Sequence, residues 1–226
     1  MRKLFEIGGL AAAAVLIVFG VVAIAMGVNG RHTVQNSLSG EYIVGTPDMN
    51  KTTIAAEAKK AGLPASIKLP TANIAGKTIN NGTLAREFAS YVRIHTLEAT
   101  GGLTYAQMGR YQALPTAPAK VTDAHGGTND ATYAVTDPQT KQPVDNGRRA
   151  IWTTSLGLQT ALNTSYMAEQ LSVFGIVVGV ALLLAGLGFA ILAIGGALRN
   201  PATALKFLTK TPVQTPTASK APLPVV

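Results

Sequence analysis

The chain has 226 residues; 47% are hydrophobic and only 13% charged, with 19 Lys and Arg against 11 Asp and Glu and a net charge of +8. It contains no cysteine, which excludes disulfides, thiolate metal sites and a catalytic thiol. Such a basic balance would suggest nucleic acid, but no basic stripe with interleaved aromatics occurs, so no nucleic-acid partner is expected.

The charge is arranged around two apolar runs. Ile7 to Asn29 and Val173 to Leu198 hold no ionisable side chain. About 20 apolar residues suffice to cross a bilayer core as a helix, so both runs predict spans, with some tilt. Arg2 and Lys3 flank one run, and Arg199, Lys206 and Lys210 flank the other, while only Arg31 lies close to the opposite ends. The positive-inside rule then puts both termini in the cytoplasm. The expected order is a cytoplasmic N-terminus (1–6), a first transmembrane helix (7–29), an extracytoplasmic domain (30–171), a second transmembrane helix (172–198) and a largely disordered cytoplasmic tail (199–226). The expected location is the plasma membrane of a cell envelope. Met1-Arg2-Lys3 and Ala23-Ile24-Ala25 also mimic a cleaved signal peptide. The apolar run exceeds the usual signal core of about 7–15 residues, which favours a retained span.

Both runs carry small residues at helical spacing. Gly9, Ala13, Leu16, Gly20, Ala23 and Gly27 share one stripe in the first, and Gly175, Gly179, Leu182, Gly186, Phe189, Ala193 and Gly196 share one in the second. Small side chains let helix backbones approach closely in lipid, where apolar burial gives no drive. Gly20, Gly27, Gly175, Gly179 and Gly186 are the expected packing residues, against the other span or another copy.

Between the spans, Arg31 to Glu41 continues the first helix. Gly45-Thr46-Pro47-Asp48 breaks the chain, and Thr46 or Asp48 caps a helix over about 50–61 that Gly62 and Pro64 stop. Ser66 to Ile79 reads as extended, as a short hairpin. A helix over about 83–99 presents Leu84, Phe88, Tyr91 and His95 on one face and ends at Gly101-Gly102. Thr104 and Gln107 form a capping-box pattern that opens a shorter helix to about Tyr111. Leu114 to Asp130 reads as a loose surface loop. The stretch 131–144 reads as a hairpin about the turn Asp137-Pro138-Gln139-Thr140. From Asn146 a stalk helix of about 50 residues, about 75 Å long at 1.5 Å per residue, enters the second span, with Gly157 and Asn163-Thr164-Ser165 as possible bends. Asn200 and Pro201 open a short helical turn. The fold class is therefore a mainly α membrane protein. Two transmembrane helices flank a mostly helical ectodomain, with one or two short β-hairpins and a long stalk continuous with the second span.

Chemistry is sparsely signalled. His95 and Glu98, three apart on a helix, can share a ligand, but metal sites commonly take three or four and no further ligand pair has matching spacing. Asp123, His125 and Asp130 fall in the loop, and His32 lies beside the first span. No nucleophile elbow, phosphate loop or dinucleotide fingerprint occurs. No enzyme activity, cofactor or metal is expected. Tyr91, His95, Tyr105, Tyr111 and Trp152 are the candidate interaction surface, although for the aromatics core packing between helix 83–99 and the stalk is the default reading.

The blocks Gly27-Val28-Asn29-Gly30-Arg31, Ile43-Val44-Gly45-Thr46-Pro47-Asp48-Met49, Arg93-Ile94-His95 with Glu98-Ala99-Thr100-Gly101-Gly102, and Leu162 to Gln170 resemble an uncharacterised family of bacterial two-span membrane proteins. Some of its members bear the name aromatic ring-opening dioxygenase. That chemistry calls for iron on two histidines and a carboxylate, a set the spacing here does not offer, so the resemblance implies topology alone. The expected function is a non-catalytic structural, assembly or accessory module, whose partners are the lipid bilayer and other envelope proteins or itself. The alternative is an extracytoplasmic ligand sensor signalling through a cytoplasmic partner.

Overall fold

The computed structural model describes residues 2–195. The expectations for Gly196, Arg199, the Asn200-Pro201 turn and the tail fall outside the described residues. The chain is mostly helical: α1 (Arg2–Gly40), α2 (Lys51–Lys60), α3 (Gly82–Ala99) and α4 (Gly147–Ile194), with β1 (Tyr111–Gln112) and β2 (Gly127–Thr128). Helices α1 and α4, of 39 and 48 residues, are long and apolar enough to cross a membrane. The backbone ladder of α4 runs unbroken through Gly157 and Asn163-Thr164-Ser165.

The chain divides into two compact units. The first comprises α1 up to Ile24 and α4 from Val177. Here the two helices meet backbone to backbone. A Cβ on Gly20 would lie 2.8 Å from the carbonyl oxygen of Gly179, and one on Gly186 would lie 2.8 Å from Ile17. Away from this seam the helices present Val15, Val18, Phe19, Leu184, Leu187 and Ile191, all exposed.

The second unit, Ala25–Ile176, is built on the remaining lengths of α1 and α4. Its main core gathers Leu38 of α1, Ile54 of α2, Ile74, Ile79, Tyr91 and Ile94 of α3, and Leu162 of α4. The N-terminus of α2 is capped by Asn50, whose side chain accepts from the Thr53 N–H at 3.0 Å. The expected caps Thr46 and Asp48 stand too far upstream for that bond. Asn81 likewise caps α3 through the Leu84 N–H at 2.9 Å. The buried face of α3 is Ala85, Ala89, Tyr91, Ile94 and Leu97. It is therefore turned from the expected stripe, leaving Leu84, Phe88 and His95 half-buried at its edge. Small alanines mark the closest approach, which a scan for large apolar residues misses.

The expected hairpin within 66–79 is absent. That stretch pairs instead with residues 43–45: Gly45 donates to Lys77 O at 2.9 Å and Ile79 to Ile43 O at 2.9 Å. A Cβ on Gly45 would stand 2.0 Å from Ile74 O, so only glycine permits the crossing. The helix expected to run from Thr104 to Tyr111 is one 3-10 turn, Tyr105–Gln107. Gly109 ends the segment by pressing its backbone onto Thr128.

The stretch expected as a loose loop is instead tied down. Strand β2 pairs antiparallel with β1, Tyr111 opposite Thr128. The Asp123 carboxylate accepts three backbone N–H groups, from Gly109 at 2.7 Å, His125 at 2.8 Å and Gly127 at 2.9 Å. Around the Asp137 turn, Thr136 bridges Pro143 without a regular ladder.

Candidate functional site

Among the described residues, a close group of ionisable side chains lies where the turn after Gly45 meets α2 and α3. Asp48 comes from the turn, Glu57 from α2, and His95 and Glu98 from the edge of α3. The Nε2 of His95 lies 2.8 Å from Asp48 Oδ2 and 3.9 Å from Glu57 Oε2. The donor atoms of these three residues all fall within 4.8 Å of one another. Despite the 2.8 Å approach, Nε2 makes no hydrogen bond. Glu98 Oε1 is likewise shut off from solvent without a partner. Glu57 and Glu98, with Lys60 and Ala61, line one surface depression of about 320 Å³.

The electrostatics follow from this crowding. Burial raises the Glu98 pKa, and the carboxylates of Glu57 and Asp48 raise it further against the opposing pull of His95. Tyr91, one turn before His95, has its pKa raised by burial first and then by Glu87 and Asp48. Its hydroxyl donates to Ala72 O at 2.6 Å. One imidazole and neighbouring carboxylates form a donor set suited to a divalent cation.

Sequence spacing could not find this group. The i, i+3 pair His95 and Glu98 is visible, but Asp48 and Glu57 reach His95 through the packing of α2 on α3, which spacing does not reveal. The one cue is that Asp48 precedes the short helix α2 and Glu57 lies within it.

The candidate interaction residues do not form one surface. Tyr91 is fully buried and Trp152 is 6% exposed, so both are core residues, in line with the packing reading, and only the competing reading of them as an outer face is corrected. Trp152 packs with Leu97 and Met108 beneath the Arg93 guanidinium, 4.4 Å from its ring. Tyr105 is exposed and covered on one face by Arg149 at 3.9 Å. Tyr111 is part of β1. Among the candidate packing glycines, Gly20, Gly179 and Gly186 stand in the seam of the first unit. Gly27 abuts Ser172 and Ile176 in the second, and Gly175 is half-buried.

Two further groups were not legible. Glu169, 6% exposed on α4, accepts the Gly82 N–H at 2.7 Å and lies 3.6 Å from the Arg31 guanidinium. It thereby joins α4, the N-terminus of α3 and α1. A cavity of about 710 Å³ is lined by Gln107, Lys120, Asp123, Asn129 and Asp130. Its carboxylates are already engaged: Asp123 holds the three N–H groups, and Asp130 accepts from Thr132.

No known protein family matches the chain, and neither curated proteins nor solved structures provide a match. The resemblance drawn from the sequence blocks therefore rests on those blocks alone.

Proposed function

We propose that the chain is a two-pass membrane protein whose middle segment, 30–171, lies outside the cytoplasm and serves as a non-catalytic assembly or accessory module. The observation that carries this reading is the outward face of the two apolar helices. Val18, Phe19, Leu184 and Ile191 are each at least 60% exposed, while glycines occupy the contact between the helices. Leaving that surface in water costs about 25 cal/mol per Å². Lipid removes this cost and leaves close backbone packing as the force that pairs helices. The flanking Lys and Arg set the orientation. The partners that suit such a protein are the bilayer and other envelope proteins or a second copy.

A chain without cysteine is convenient for testing this. Single cysteines at Thr116, which is exposed, and at Thr215 are labelled with a membrane-impermeant maleimide. The expected result is labelling at 116 in intact cells and at 215 only after lysis. The reverse pattern, or recovery of the chain in the supernatant of an alkaline wash, overturns the topology. Gentle detergent extraction at native expression levels tests the assembly role. Migration with a partner or as an oligomer supports it, and migration as a bare monomer removes it.

A further inference from the structure

The geometry points to a divalent transition-metal site of the Zn²⁺ class formed by Asp48, Glu57 and His95, with Glu98 beside it. Three observations carry the inference. The donor atoms come from three separate segments, yet all stand within 4.8 Å of one another. Ligands on one ion at about 2.0–2.2 Å are separated by such distances after small rotamer changes. The imidazole Nε2 faces two carboxylate oxygens at 2.8 and 3.9 Å without a hydrogen bond to either. A hydrogen-bonded His–Asp pair would align the ring N–H with its acceptor. A bound cation instead takes the nitrogen lone pair and both oxygens at once. Finally, Glu98 Oε1 is closed to solvent and unpartnered beside the depression it shares with Glu57. Buried polar atoms ordinarily have partners, and a metal ion or its bound water provides one here.

The ligand chemistry decides the class. One imidazole with carboxylates suits Zn²⁺ and its first-row neighbours, whereas Ca²⁺ and Mg²⁺ prefer oxygen alone. Lys60 is the one cation lining the depression, against the carboxylates of Glu57 and Glu98. The site is structural in this inference. It ties the turn at Asp48, α2 and α3 together in a unit that has no disulfide to do so. It does not depend on which side of a membrane the unit faces.

The test uses the untagged full chain in detergent, stripped with a chelator and titrated with Zn²⁺ against a chromophoric competitor. The expected result is one tight equivalent per chain, accompanied by an upward shift of the thermal midpoint. His95→Gln and the double variant Asp48→Asn/Glu57→Gln weaken binding at least tenfold, while His125→Gln and His32→Gln leave it unchanged. Co²⁺ substituted at the same stoichiometry gives visible d–d bands that vanish in His95→Gln. Absence of a tight equivalent in the wild-type chain overturns the inference and leaves a metal-free contact between His95 and Asp48. Equal binding by His95→Gln, or loss of binding in His125→Gln, also overturns it. Circular dichroism and the unfolding midpoint of each stripped variant separate lost ligation from lost folding.

Discussion

Glu169 shows how much can depend on one side chain. Its carboxylate is buried, receives the Gly82 N–H at 2.7 Å and faces Arg31 at 3.6 Å. An acidic group at a helix N-terminus is favoured by the local dipole. A Glu169→Ala change strands a buried N–H, which costs about 1–3 kcal/mol. Unfolding of the detergent-solubilised chain measures this, and amide exchange at Gly82 should quicken in step. Glu169→Gln keeps an acceptor and is expected to lose less. Asp123 makes a complementary case. Burial alone would raise its pKa, but the N–H groups of Gly109, Gly127 and His125 outweigh it and hold the group below the ordinary Asp range. The folded form thus releases its proton at lower pH than the unfolded form. The stability it confers is present above the unfolded value and lost as the pH falls from about 4 through the folded pKa. Asp123→Ala should lose about 2 kcal/mol at neutral pH, where the lost hydrogen bonds are charge-assisted. It should also show a shallower acid limb in thermal melts from pH 5 to 2.

At the scale of elements, the apolar period and the caps were readable and the turns between them were not. Helices α1 and α4 follow from uninterrupted apolar stretches without proline. Helix α3 follows from the run closed by Gly101 and Gly102, whose φ values of +68° and +81° suit glycine. The buried face of α3 escapes the sequence pattern because Ala85 and Ala89 carry the contact, while hydropathy weighs Leu84 and Phe88 more heavily. The partner of the stretch 66–79 is not legible in the sequence, because nothing in its own residues names residues 43–45. The glycine seam provides the sharpest test here. Gly179→Ile drives a side chain into the Gly20 carbonyl, with a Cβ contact of 2.8 Å. Gly188→Ile meets nothing within 4 Å. The first substitution should lower the thermal midpoint in detergent by several degrees and the second should leave it unchanged, since overpacking costs about 1–3 kcal/mol.

For the molecule as a whole, the sequence made the helical class and the two long apolar helices legible from composition and charge. The cation cluster was hidden because its members lie 47 residues apart at the extremes, Asp48 to His95. The packing of α2 on α3 brings them together. One contact pattern in the second unit has a mechanical consequence. Helix α3 touches α4 near both of its ends, through Gly82 on Glu169 at one and Arg93 over Trp152 at the other. Between those anchors α4 behaves as a ruler with fixed phase, since each residue advances it by 1.5 Å and about 100°. A single alanine inserted after Gly157 would swing Trp152 a quarter-turn or more away from Glu169, so that α3 can hold one anchor but not both. Either the quenching of Trp152 fluorescence is then relieved or exchange at Gly82 quickens, but not both. An insertion of seven residues, nearly two full turns, restores the phase and fails only by distance. The single insertion therefore reports rotation and the longer one reports reach, and a torque applied along α4 would be felt by α3 at both ends.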